Sequence, residues 1–90
     1  MSHRKTSDLA DKITLAKKKI KLSSKYFHYK HKDRYYNIVQ IGFIENTEEV
    51  CVVYEAEFGD KLVWVRTITD FLSKVKLDDG NEVDRFTKVE

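Results

Sequence analysis

The sequence predicts a mainly β fold, a small barrel of about five short strands preceded by one basic amphipathic helix. Three observations carry this. Apolar residues recur at helical spacing in the first quarter of the chain. Stretches rich in Val, Ile, Tyr and Phe, cut by turns containing Gly or Asp, fill the rest, and 90 residues make one domain at most. A sheet in so short a chain removes its exposed edges most simply by closing on itself, which favours an SH3-like barrel.

The helix comes first. Leu9, Ile13, Ala16 and Ile20 recur at spacings of four, three and four, with Lys12, Lys17, Lys18, Lys19 and Lys21 on the other faces, so a helix is predicted over residues 7–22. Ser7 is placed to cap it, Asp8 and Asp11 suit the positive end of its dipole, and the lysines suit the negative end. Its apolar stripe is narrow and marginal alone, so it should lie against the body or a partner. Ser23 and Ser24 read as a short linker. The expected organisation is a basic arm over residues 1–24, appended to a barrel over residues 25–90.

From Lys25 the pattern becomes β. Residues 26–30 are rich in aromatics, and His31, Lys32, Asp33 and Arg34 read as a polar turn. Residues 35–44 carry Tyr, Ile, Val and Phe on both faces, which predicts a long central strand, or one bent near Gly42. Residues 45–48 form a loop. In the next strand Val50, Val52, Tyr54 and Ala56 alternate with Cys51, Val53, Glu55 and Glu57. Phe58, Gly59 and Asp60 turn the chain, and residues 62–66 return antiparallel. Residues 69–72 resemble one helical turn capped by Thr69 or Thr67. Residues 73–77 and 82–89 are two further strands around the turn at 78–81.

Composition excludes several classes. One cysteine, Cys51, allows neither an internal disulfide nor a Cys-based zinc site and points to a reducing compartment. The start lacks the apolar run of a signal peptide, and nothing approaches a membrane span, so a soluble cytoplasmic protein is expected. The net charge of +2 is uneven: residues 1–25 carry +6 and residues 26–90 carry −4. Such an arm suits nucleic acid or an acidic partner, although lysines on an amphipathic helix also need no partner.

The stretch V-V-Y-E-A-E-F-G-D-K-L-V-W-V-R, residues 52–66, sets Tyr54, Trp64 and Arg66 around one turn. One reading is a ligand platform, with Trp64 stacking a ring and Arg66 forking onto phosphate or carboxylate. The other is scaffold: Trp64 joins a thin core with Tyr54, and Arg66 pairs with Asp70 to hold the short helical turn. Tyr29 beside Lys30, Lys32 and Arg34 is either a basic aromatic patch or a solvated loop. His28 and His31, three apart, would point to opposite faces of a strand and lack a third firm ligand, so no metal is expected. Cys51 reads as a packed thiol, Glu55 and Glu57 as a wet strand face, and the isolated Gly42, Gly59 and Gly80 form no phosphate loop. No catalysis and no cofactor are expected.

Five pieces of the chain resemble a known family: H-Y-K at 28–30, T-E-E-V-C-V-V-Y at 47–54, F-G-D at 58–60, W-V-R at 64–66 and F-L-S-K-V at 71–75. They are similar to the bacterial family catalogued as domain of unknown function 1653, whose members read as an H-Y-K-like start, V-V-Y, a Y-G-D turn, L-W-V-R-P and a final R-F. The resemblance spans residues 26–86 and implies a small SH3-like barrel, without implying an activity. This chain departs from it at Thr67, where proline is usual, and at Phe58, where tyrosine is common. The helix lies outside it.

These readings converge on a non-enzymatic binding module with RNA or another nucleic acid as the leading partner. Lys12, Lys17, Lys18, Lys19 and Lys21 would meet phosphates, extended by Lys30, Lys32 and Arg34. Tyr29 and Trp64, flanked by His28, would stack, and Arg66 would anchor a phosphate. The rival is a protein-interaction module, using the barrel groove for a peptide or the stripe Leu9, Ile13, Ala16 and Ile20 for a partner or a second copy. A third reading is a nucleotide or metabolite sensor at Trp64 and Arg66.

Overall fold

The structure, a computed structural model, describes residues 6–89, with side chains from Asp8 onward. The basic residues Arg4 and Lys5 and the side chain of the expected cap Ser7 therefore lie outside the described residues. The element order is α1 (Thr6–Lys19), β1 (Lys25–His28), β2 (His31–Phe43), β3 (Val50–Ala56), β4 (Val63–Thr67), α2 (Ile68–Phe71), β5 (Lys74–Lys76), β6 (Glu82–Asp84) and β7 (Phe86–Val89). Five strands pair antiparallel in the order β4-β3-β2-β1-β7, and β5 and β6 form a separate hairpin.

The expected barrel does not close. The ladder ends at β4 on one side and β7 on the other, with no pairing between them. What the sheet does instead is curl around its apolar face. Alternation turns Tyr26, Tyr36, Ile38, Val52 and Tyr54 to one side, where they meet Phe71 of α2 and Phe86 of β7 in a single core. Phe71 is the most enclosed aromatic: it stacks on Phe86 at 4.2 Å and meets Tyr26 and Tyr54 edge-on at 5.2 and 5.4 Å. The core of this thin domain is thus built from rings, as its size requires.

The helix is part of that core rather than an appendage. Ala16 and Ile20 are 4% and 0% exposed and Ile13 packs against the same cluster, so the stripe from Ile13 to Ile20 is covered by the chain's own sheet, whereas Leu9 is half-buried outside that cluster. This corrects the reading of the stripe as a docking face for a partner or second copy. The helix ends at Lys19, three residues earlier than predicted, and Ser23, with φ of +64°, lies in the turn that leads into β1. Ser23 and Ser24 then leave the linker role: the Ser23 N–H donates to the Ile38 carbonyl and the Ile38 N–H to the Ser24 carbonyl, which lengthens the β1–β2 ladder.

Three further boundaries differ. His31–Arg34, predicted as a turn, is the exposed first part of β2, and the chain reverses at Tyr29–Lys30 instead. The irregularity in β2 falls at Val39, where the register shifts between Ile38 and Gln40, not at Gly42. The last predicted strand splits at Arg85, where the pairing changes partner. Its N–H donates to the Ser73 carbonyl and continues the β5–β6 ladder, its carbonyl accepts from the Tyr29 N–H and continues the β1–β7 ladder, and its side chain turns toward Asp70. Gly59, with φ of +59°, opens the β3–β4 turn as expected, and Lys61, also left-handed, delays the start of β4 by one residue.

Because Ile20 fills the core, Ile20→Ala should cost about 2–4 kcal/mol in denaturant unfolding, whereas exposed Lys17→Ala should change stability by less than about 0.5 kcal/mol. Equal small effects at both positions would mean that the helix is not integral. By the same reasoning, a chain starting at Lys25 should unfold at much lower denaturant than the whole protein.

Candidate functional site

All five strands of the main sheet contribute to one cleft on its curled face. β4 supplies Trp64 and Arg66, β3 Tyr54, β2 Tyr36, β1 His28 and β7 Phe86, with Lys30 and His31 at the rim. The cleft has a volume of about 250 Å³. Its floor is aromatic, with Tyr54 edge-on to Tyr36 at 5.4 Å and to Phe86 at 5.3 Å, and His28 edge-on to Phe86 at 5.1 Å. These rings meet here because the curl brings both ends of an open sheet over its centre.

Arg66 is held on three sides. Its Nε–H donates to the Tyr54 hydroxyl at 3.1 Å, Nη1 pairs with Asp70 one helical turn on, and the guanidinium lies 5.8 Å from the Phe86 ring centre. Asp70 also faces Arg85 at 3.9 Å, and Arg85 Nε donates to Ser73 Oγ. Thr67 caps α2, its Oγ1 accepting from the Asp70 N–H. The scaffold reading of Arg66 is therefore correct as far as Asp70 goes. Yet the same guanidinium lines the cleft with its Nη2 uncommitted among the described residues, so it is scaffold and surface at once.

Trp64 corrects the scaffold alternative, in which it joined the core. It pairs directly across from Tyr54, but only Tyr54 enters the core; Trp64 is 50% exposed and forms a wall of the cleft. Its strand is the sheet's edge, where the packed interior ends.

The charged side chains that line the cleft, Lys30 and Arg66, are both basic, and Arg66 is paired with Asp70. Burial lowers the His28 pKa below its ordinary value, and the nearby charges of Arg66, Arg85, Lys30 and His31 lower it further. No carboxylate lines the cleft. His28 Nδ1 accepts from the Lys30 N–H at 3.2 Å, which leaves the neutral ring its proton on Nε2. Burial raises the Tyr54 hydroxyl, against the pull of Arg66, so it stays protonated. Arg66 loses solvent but is held charged by Tyr54 and Asp70. Cys51 is buried, pushed up by that burial and by Glu49, and donates weakly to the Glu49 carbonyl: a packed thiol, as read.

The other expected site residues divide. His28, Lys30, Trp64 and Arg66 come together, and His31 joins them because the two-residue turn pairs it with His28 instead of pointing it away. Tyr29 and Lys32 line a different hollow with Phe27, Leu77 and Val83. Arg34 lies 5.3 Å over the Phe58 ring. Lys17, Lys18 and Lys21 are exposed on or just after the helix and do not line the cleft. No group of three metal-ligating side chains occurs among the described residues. The sequence reading missed Tyr36 and Phe86 as floor and Arg85 as second partner of Asp70; the R-F pair at 85–86 was the available signal.

The chain belongs to the family described as "Protein of unknown function (DUF1653)", whose family model matches residues 24–88. The match covers the sheets and the cleft and starts just after α1. No curated protein and no solved structure matches the chain. No described helix is long and apolar enough to cross a membrane.

Two outcomes follow from this geometry. Tyr54→Phe removes the acceptor of the Arg66 Nε–H, and should destabilise the protein by about 1 kcal/mol. A lowered His28 pKa means that the unfolded chain takes up its proton first on acidification. Its contribution is complete above the ordinary histidine value of about 6.5 and is lost as pH falls through the lower folded value. Unfolding of His28→Gln should therefore lose less stability between pH 7 and pH 5.5 than the parent protein; identical pH profiles would contradict the lowered value.

Proposed function

We propose that this member of the family is a non-enzymatic binding module for single-stranded nucleic acid, holding one nucleotide in the cleft between Trp64 and Arg66. The observation that carries the reading is the lining itself. An aromatic floor and an exposed tryptophan are combined with Arg66, Lys30 and two histidines, and no carboxylate interrupts them. Single-strand binders join these two features, rings on which bases stack and cations along the phosphates. The overall −4 of residues 26–90 does not decide the matter, because a ligand meets the local field, and the charges acting on His28 are all positive.

Shape favours this reading over a metabolite sensor. The cleft of about 250 Å³ shares Tyr54, Trp64 and Arg66 with a second hollow of about 470 Å³, so the lining is a continuing surface rather than one enclosed pocket. It suits one ring of a longer chain, with neighbouring units lying on the surface. Lys30 lines the cleft, whereas Lys32 and Arg34 lie outside it at the start of β2 and would meet phosphates of units beyond the one held there. The helix lysines supply long-range attraction in this reading rather than contacts in the cleft.

The test is fluorescence anisotropy of a labelled mixed-sequence single-stranded RNA with the full chain at low and moderate salt. Binding should weaken steeply with salt. Trp64→Ala should weaken it by about 1–3 kcal/mol, roughly 5- to 150-fold, with little loss of fold because the side chain is half exposed. Absence of binding at low salt, or full binding by Trp64→Ala, would overturn the proposal.

A further inference from the structure

The edge strand β4 is open and unprotected. Leu62, Val63, Trp64 and Val65 are four consecutive apolar residues, each between 50 and 59% exposed. Proteins usually blunt such an edge with lysine, proline, a bulge or a cover. The opposite edge, β7, carries Lys88, whereas in β4 the only charge belongs to Arg66, which is held inward by Asp70 and Tyr54.

The hydrogen-bond phase of the ladder shows which backbone groups are left over. The Ala56 N–H donates to the Leu62 carbonyl at 3.0 Å, and the register runs on as Tyr54↔Trp64 and Val52↔Arg66. In an antiparallel ladder, hydrogen-bonded and non-bonded pairs alternate. Leu62, Trp64 and Arg66 therefore face β3 with their N–H and C=O groups, and Val63 and Val65 turn theirs outward, past the last strand of the sheet. Pairing must stay within this short run, because Lys61 at φ of +54° ends it on one side and Thr67 starts α2 on the other.

We infer that β4 is a homodimer interface, in which two copies join their sheets by antiparallel β4–β4 pairing centred on Trp64. One register satisfies the free groups: Val63 of each copy opposite Val65 of the other, which forms four backbone hydrogen bonds about a two-fold axis. It is self-complementary, as an isologous contact must be. It makes two Val–Val cross-strand pairs and sets the two Trp64 side chains opposite each other in a non-bonded pair, where side chains approach most closely. Centring on Val63 would call on Lys61, whose backbone is left-handed, and centring on Val65 would call on Thr67, the N-cap of α2, whose C=O already accepts that helix's first bond. A second copy fits better than a foreign peptide because the matching sequence V-W-V lies symmetrically about its own centre. The two-fold axis is normal to the sheet, so both clefts open on the same face. The inference does not depend on what the cleft binds.

Sedimentation equilibrium of the full chain, under reducing conditions and from micromolar to near-millimolar concentration, tests it. The mass should rise with concentration toward twice that of the monomer. Val65→Pro deletes an outward N–H without touching the β3 ladder, a position where an edge strand tolerates proline; Val63→Lys places a charge on the edge. Both variants should remain at monomer mass with unchanged far-ultraviolet circular dichroism, and should Val65→Pro fail to fold, Val63→Lys decides alone. A parent chain that is monomeric throughout overturns the proposal. So does a dimer that survives Val63→Lys, since its interface would lie elsewhere, and so does a monomer that takes up a strand-forming peptide on β4.

Discussion

A five-stranded sheet left open at both ends has to hide its apolar face, and in this protein the ring of Phe71 does most of that. It reaches from a helix of only four residues into the middle of the curl, flat against Phe86 of one edge strand and edge-on to Tyr54 and Tyr26 of the inner strands. Truncating a ring so enclosed typically costs about 3–5 kcal/mol, a large part of the stability of a domain this small. The curl, the aromatic floor and the cleft above it all follow from where this ring sits. α2 needs its own fastening, because four residues cannot hold a helical turn alone. Thr67 caps it, and Asp70 ties it to Arg66 before it and Arg85 after it. These ion pairs are partly exposed, so their value is in position more than in energy.

That arrangement explains how one side chain serves two ends. Arg66 holds α2 through Asp70, and its remaining donors face an aromatic cleft beside His28 and Lys30. The cation is therefore preorganised, and a ligand that uses it need not order a free side chain first. The helix α1, although outside the family match, closes the far side of the same core with Ala16 and Ile20. Basicity and packing are divided between its two faces.

Much of this was legible in the residues. Helical spacing located α1, alternation located β3, the Gly59 and Gly80 turns were placed correctly, and the Thr67 cap and the Arg66–Asp70 pair were named among alternatives. What was not legible has physical reasons. Polar residues on both faces made His31–Arg34 look like a turn, when it is a strand running beyond the core. At Arg85 the strand passes from pairing with β5, through Ser73, to pairing with β1, more than fifty residues back, a change of partner that no local pattern reveals. Barrel closure was inferred from the need to remove edges, but α2 and the curl bury the apolar face while leaving β4 free. For the same reason the scaffold reading fails for Trp64, which lies half exposed: the packed layer ends one strand before it. The cleft itself joins five strands distant in sequence, so only His28, Lys30, Trp64 and Arg66 of its lining were foreseen.

In the proposed function the ligand surface is the cleft beneath Trp64 rather than the basic helix. A titration of the isotope-labelled full chain with a short single-stranded oligonucleotide, followed by backbone-amide and indole NMR shifts, tests that directly. The largest shifts should fall at the Trp64 indole, the Arg66 Nε–H and the amides of residues 28–31, with small changes over α1. Shifts confined to residues 12–21, or none at all at low salt, would contradict the proposal.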